Sequence, residues 1–163
     1  MKFTRVGDDT VRMRLAVAEA DTLAALLTDL VDTLQPSGLD RADPVYRRLY
    51  PDGYQENAEA ADAFRSLTES SLQQERLGRA EDCRAGLAAL DRTKRRMDLS
   101  LDPEAAQCWL QVLNDMRLAI GTRIGVTEDE PREFHADDQD AMPRAVYGYL
   151  SGMQDALVQA CMG

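Results

Sequence analysis

Between Asp102 and Gly125 the sequence specifies a helix together with both of its ends, and this constrains the fold more than any other feature. Asp102-Pro103-Glu104 is a start signal, an N-cap acceptor followed by proline at the first helical position. Trp109, Leu113, Met116, Ile120 and Ile124 then recur at spacings of four, three, four and four, which is one apolar helix face. Gly125 stands where a left-handed C-terminal cap is needed, and Arg123 lies in the final turn, favourable for the helix dipole. The expectation is a positive φ at Gly125. Asn114, Asp115, Arg117 and Arg123 fall on the other sides of this helix, with Asn114, Arg117 and Gly121 on one stripe. Gly121 removes a side chain from that stripe, so another backbone or the Arg117 guanidinium could come close. Arg117 is expected to hydrogen-bond to a neighbouring helix rather than to a ligand.

A helix with one apolar face needs partners, and the rest of the chain supplies them. Val11, Met13, Leu15 and Val17 alternate at period two after a Gly-Asp-Asp turn, with Phe3 and Val6 upstream, which reads as a β-hairpin. From about Glu19 the period becomes helical, through Leu23, Leu27, Leu30 and Leu34 with Leu26 beside them, until Pro36-Ser37-Gly38. Asp43-Pro44 opens a short turn of helix, VYRRLY, that Pro51-Asp52-Gly53 stops. A long helical region runs from about Glu56 to Arg92. Its stripe Ala61, Phe64, Leu67 is out of phase with Leu72, Cys83, Leu87, Leu90, which predicts a bend or break near Thr68–Ser71. Met97–Leu101 alternates and is a candidate third strand. Residues 127–141 are acidic and aperiodic, read as a mobile loop. A last helix opens near Pro143, with Val146, Leu150, Met153 and Leu157 facing inward. The fold class is therefore mainly α, a helical bundle of about four to five helices with a short N-terminal β-hairpin. At 163 residues the chain reads as one domain, 1–163, large enough to bury a core without metals or disulfides.

Charge limits the partners. With 29 acidic and 19 basic residues the net charge is −10, unfavourable for non-specific nucleic-acid binding, which draws its affinity from phosphate neutralisation. Direct DNA contact would fall to the cluster Arg92, Lys94, Arg95 and Arg96, whose simplest reading is a solvated helix end. No apolar run approaches a membrane span, and no signal-peptide region precedes the hairpin, so a cytoplasmic protein without membrane contact is expected.

Site chemistry is sparse. The lone histidine, His135, lies in EFHADDQD among Glu133, Asp137, Asp138 and Asp140, but the calcium-loop alternation and its central glycine are missing, so no metal is assigned. With one histidine, and no GxSxG, P-loop or dinucleotide fingerprint, no catalytic residue and no cofactor are assigned, and a non-enzymatic protein is expected. An enzyme would have to use the Asn114/Arg117/Arg123 strip. The three cysteines, Cys83, Cys108 and Cys161, are odd in number and widely spaced, which argues for free thiols in a reducing compartment. Cys83 and Cys108 lie on or beside the apolar faces of two different helices. They could form a regulatory disulfide if packing brought their Cα atoms within ~7 Å.

Three segments carry a resemblance: YRRLYPDGYQENAEAADAFRSLTESSLQQERL, WLQVLNDMRLAIGTRIGVTEDE and VYGYLSGMQDALV. With the hairpin-plus-helix start, nearly the whole chain resembles an actinobacterial family defined by a domain of unknown function (DUF 2017). The resemblance implies, for some members, redox-sensing transcriptional regulation in oxidative stress, acting with a sigma factor near cysteine-biosynthesis genes. The sensor it implies is a closely spaced cysteine pair. Here the cysteines are separated by 25 and 53 residues, so no sensor residue carries over. Two non-enzymatic readings follow. One is a regulator of transcription working through a protein partner, such as a transcription factor or an RNA polymerase component. The other is a homodimeric adaptor without a nucleic-acid role, favoured by the GxxxG spacing of Gly121 and Gly125 and by the tyrosines of the last helix.

Overall fold

The computed structural model describes residues 1–38, 40–51, 58–126 and 140–163, with the backbone alone over 58–69. Among the described residues the chain runs β1 (Lys2–Val6), β2 (Thr10–Ala16), α1 (Val17–Leu34), α2 (Pro44–Leu49), α3 (Ala58–Ala88), β3 (Arg96–Leu101), α4 (Pro103–Arg123) and α5 (Ala141–Met162). The fold is mainly α, with a small antiparallel sheet in the order β1-β2-β3. The segment read as a third strand pairs with the middle strand, placing Met13 opposite Leu99 and Leu15 opposite Met97. Alternation sorts the two faces: Val11, Met13, Leu15, Met97 and Leu101 are buried, whereas Arg12, Arg14 and Asp98 face outward.

The helix starts follow local chemistry. Asp43 Oδ1 accepts from the Val45 N–H at 2.7 Å, and Asp102 Oδ1 from the Ala105 N–H at 2.8 Å, each with proline in the first turn. The first helix begins at Val17, two residues before the expected Glu19, because Glu19 Oε2 accepts the Ala16 N–H at 2.7 Å and so holds the first turn. At the other end of α4, Gly125 has a φ of 65°. Val126 N–H donates to Gly121 O at 2.9 Å and Gly125 N–H to Thr122 O at 3.3 Å, the paired bonds of a Schellman stop.

The expected break in the long helix is absent: α3 is continuous from Ala58 to Ala88. Leu72, read as part of the inward stripe, is exposed at 44%. The inward stripe instead runs through half-buried Gln73, Arg76 and Leu77 to buried Ala80, Cys83 and Leu87. Polar side chains thus occupy inward positions, with Gln73 Nε2 donating to the Leu34 carbonyl of α1 at 3.0 Å.

One apolar core joins the sheet to the helices, with Leu23, Leu27, Leu30 and Leu34 of α1 and Leu150, Met153 and Leu157 of α5 all buried. Trp109, Leu113 and Met116 of α4 and Ile124 at its C-cap are buried as well, Ile120 partly. Among the described residues no helix is long and apolar enough to cross a membrane. The acidic stretch 127–141 and His135 fall almost wholly outside the described residues.

Candidate functional site: a cysteine pair between two helices

The helix packing brings together two side chains that are 25 positions apart in sequence. Cys83 projects from the inward stripe of α3, and Cys108 sits beside Trp109 on α4; their sulfurs are 3.7 Å apart. That is a thiol–thiol contact, well beyond a covalent S–S length of about 2.05 Å. Both are free thiols, Cys83 buried at 3% exposure and Cys108 half-buried. The Cys108 thiol also lies 3.6 Å from the Arg79 carbonyl, to which it can donate.

The two thiols differ electrostatically. The hydrogen bond with Cys108 holds the Cys83 proton in place; burial and the nearby charges of Cys108 and Asp82 push its pKa up further. For Cys108 the same hydrogen bond, now received, stabilises the thiolate and lowers the pKa. Burial and the charges of Asp82 and Glu104 oppose this, and Arg79 assists it. An open groove of about 580 Å³ runs alongside, with Glu75, Arg79, Asp82, Leu99, Glu104 and Cys108 among its walls. Cys161 lies apart, exposed near the end of α5, where its carbonyl accepts from Arg5 Nη1 at 3.3 Å.

The polar strip of α4 is built into the packing. Arg117 Nε donates to Ser151 Oγ at 2.9 Å and its Nη1 to Gln154 on α5, while its guanidinium lies 5.4 Å from the Tyr147 ring centroid. This is the inter-helix contact expected of Arg117. The space left by Gly121 is filled by the Tyr147 ring, rather than by a backbone or the guanidinium: a Cβ there would stand 3.0 Å from Tyr147 Cε2. The two glycines of the GxxxG spacing are thus engaged within the chain, one against Tyr147 and the other as a cap. Asp115 departs from the expected polar side of the helix. It is buried at 3% exposure and ion-paired to Arg76 of α3, a contact that sequence reasoning missed. Asn114 is half-buried and Arg123 exposed.

The basic cluster is not a helix end. α3 stops at Ala88, and Arg92, Lys94 and Arg95 lie in the exposed connection to β3, with Arg96 at the start of that strand. Arg92 is ion-paired with Asp21, and Lys94 Nζ lies 3.7 Å from Asp91 Oδ2. Among the described residues, no group of three or more His, Cys, Asp or Glu side chains is placed to hold a metal.

A helical bundle closed by a small sheet, with a thiol pair clasped between two helices, defines the class of protein. The chain belongs to the family described as Domain of unknown function (DUF2017), whose model matches residues 1–161. It is similar to a Mycobacterium leprae protein named "Putative oxidative stress regulator AosR", with 31% identity over 130 residues, covering 74% of this chain. The match takes in 59% of that relative, so the chain spans about three fifths of the relative's length. No solved structure matches the chain.

Proposed function

We propose that this is a non-enzymatic, redox-linked regulatory protein of the cytoplasm that influences transcription through protein contacts. The observation that carries the reading is the 3.7 Å approach of Cys83 and Cys108. Two free thiols at this distance, on helices that share a core, form a disulfide after a small movement, and the bond would tie α3 to α4. The relative's name gives the same direction, oxidative stress and regulation. Action through a protein partner, such as a transcription factor or an RNA polymerase component, suits a chain of net charge −10 whose basic cluster is partly neutralised by Asp21 and Asp91. The engagement of Arg117 by Ser151 and Gln154 supports a structural role for the polar strip rather than a substrate-binding one.

The test is oxidation of the purified protein followed by alkylation and peptide mapping. A Cys83–Cys108 cross-linked peptide, reversed by reductant, supports the switch. Thiols that both remain free after oxidation, with Cys161 forming the only bridges, would overturn it.

A further inference from the structure

We infer that Cys108 is the thiol that meets the oxidant, an uncharged hydroperoxide, and that Cys83 is the resolving thiol behind it. The inference rests on the redox reading above and assigns the order of events within it.

Access separates the two sulfurs. Cys108 is half-buried on the wall of the open groove, whereas Cys83 reaches the same wall from within the core cluster and is only 3% exposed. Polarity points the same way. The Cys83 S–H can donate to the Cys108 sulfur at 3.7 Å, which favours negative charge on Cys108 and keeps the proton on Cys83. The groove also selects by charge. Among the described residues Glu75, Asp82, Asp102 and Glu104 line it against one cation, Arg79, so a neutral peroxide approaches more readily than an anionic oxidant or an anionic disulfide.

The chemistry then runs in two balanced steps. The Cys108 thiolate attacks one peroxide oxygen; an S–O bond forms and the O–O bond breaks. The departing hydroxide or alkoxide takes a proton from water. Sulfur loses two electrons and the peroxide gains them. The Cys83 sulfur next attacks the Cys108 sulfenic sulfur. An S–S bond forms, the S–O bond breaks, and the leaving hydroxide accepts the Cys83 proton to become water. Cys83 begins 3.7 Å from its target, so the sulfenic acid is captured before a second equivalent can oxidise it further.

The test uses the full chain in a Cys161→Ser background, treated with one equivalent of hydrogen peroxide in the presence of dimedone, which traps sulfenic acids. With both core cysteines present, the product is the internal disulfide and little trap is taken up. Cys83→Ser should accumulate the adduct on Cys108. Cys108→Ser should lose the fast reaction, because the remaining thiol is buried within the core cluster. Timed alkylation of the reduced protein with both core cysteines adds a readout free of folding effects: Cys108 should be modified before Cys83. Equal or faster labelling of Cys83 in either measurement overturns the assigned order while leaving the disulfide reading intact. Absence of any internal disulfide overturns both.

Discussion

Arg76 of α3 is ion-paired with Asp115 of α4, and the two partners are not equally buried: the Asp115 side chain is 4% exposed and that of Arg76 22%. Arg76 also lies 5.6 Å from the Tyr50 ring centroid, so its guanidinium joins three segments of the bundle. The asymmetry predicts unequal mutational costs. Arg76→Ala leaves a buried carboxylate without its counter-charge and should cost about 3–5 kcal/mol. Asp115→Ala leaves a guanidinium that can turn to water and should cost less, about 1–3 kcal/mol. Urea denaturation of both variants measures the difference. Equal losses, or a larger loss for Asp115→Ala, would show that packing rather than unpaired charge sets the cost.

The glycines of the helices fall into two groups, with opposite predicted outcomes. At Gly78 and Gly152 an added Cβ would find nothing within 4 Å, so alanine gains helix propensity without a clash. Each substitution should stabilise the fold by about 0.5–1 kcal/mol. At Gly121 the same gain is opposed by the Tyr147 ring at 3.0 Å, which is itself stacked with Arg117. Gly121→Ala should therefore be destabilising, by about 1–2 kcal/mol after the propensity gain. Thermal melts of the three variants check this. A melting temperature for Gly121→Ala above that of the parent would mean that the α4–α5 contact yields easily.

Across the sheet, Arg14 and Asp98 stand directly opposite on β2 and β3, with Nε to Oδ1 at 2.7 Å and Nη2 to Oδ2 at 2.8 Å. The hydrogen bonds from Arg14 do most to hold the Asp98 carboxyl below its ordinary pKa; desolvation opposes them, and the charges of Arg14, Arg12 and Lys94 add to the lowering. A carboxyl whose pKa is depressed in the folded state contributes stability that is present above its unfolded value, near 4, and lost as pH falls through the folded value. Asp98→Asn should therefore lower the melting temperature slightly at pH 7 and have less effect near pH 2. The pair is solvent-exposed, so the effect should also shrink in high salt. A difference between the two proteins that stays constant from pH 7 to pH 2 would exclude this linkage.

Much of the fold was legible because local chemistry specified it. Asp102-Pro103 and Gly125 bounded α4 correctly, and the period-two run Val11–Leu15 placed β2. The break expected near Thr68–Ser71 is absent, and among the described side chains the inward stripe of α3 is polar at Gln73 and Arg76 before it becomes apolar, so Leu72 does not trace it. Leu72 faces solvent, while Gln73 and Arg76 turn inward to a carbonyl and a carboxylate on other helices. Those partners are tertiary, and periodicity does not register them. The candidate site was legible in the same partial way. The apolar surroundings of Cys83 and Cys108 showed that each could be buried, but their contact depends on how α3 crosses α4. Across a 25-residue separation the sequence could pose the pair only as a condition on packing, and the packing brings the sulfurs to 3.7 Å.

Ion pairing within the basic cluster also limits contact with DNA. All four cations in the cluster are exposed, but Arg92 is paired with Asp21, Lys94 lies near Asp91 and Arg96 acts on Glu19, so about two charges are left for a phosphate backbone. Two phosphate contacts release about two counterions, giving a shallow salt dependence and weak affinity. A protein acting mainly through a protein partner should therefore show no gel shift of promoter DNA at 0.2 M salt, an ionic strength at which charge interactions fade beyond about 7 Å. Any retardation at low salt should disappear in an Arg95→Ala/Arg96→Ala variant. A shift that persists at 0.2 M salt and is abolished by that double substitution would establish direct DNA binding at this connection, and would refute the expectation that the chain acts mainly through protein contacts.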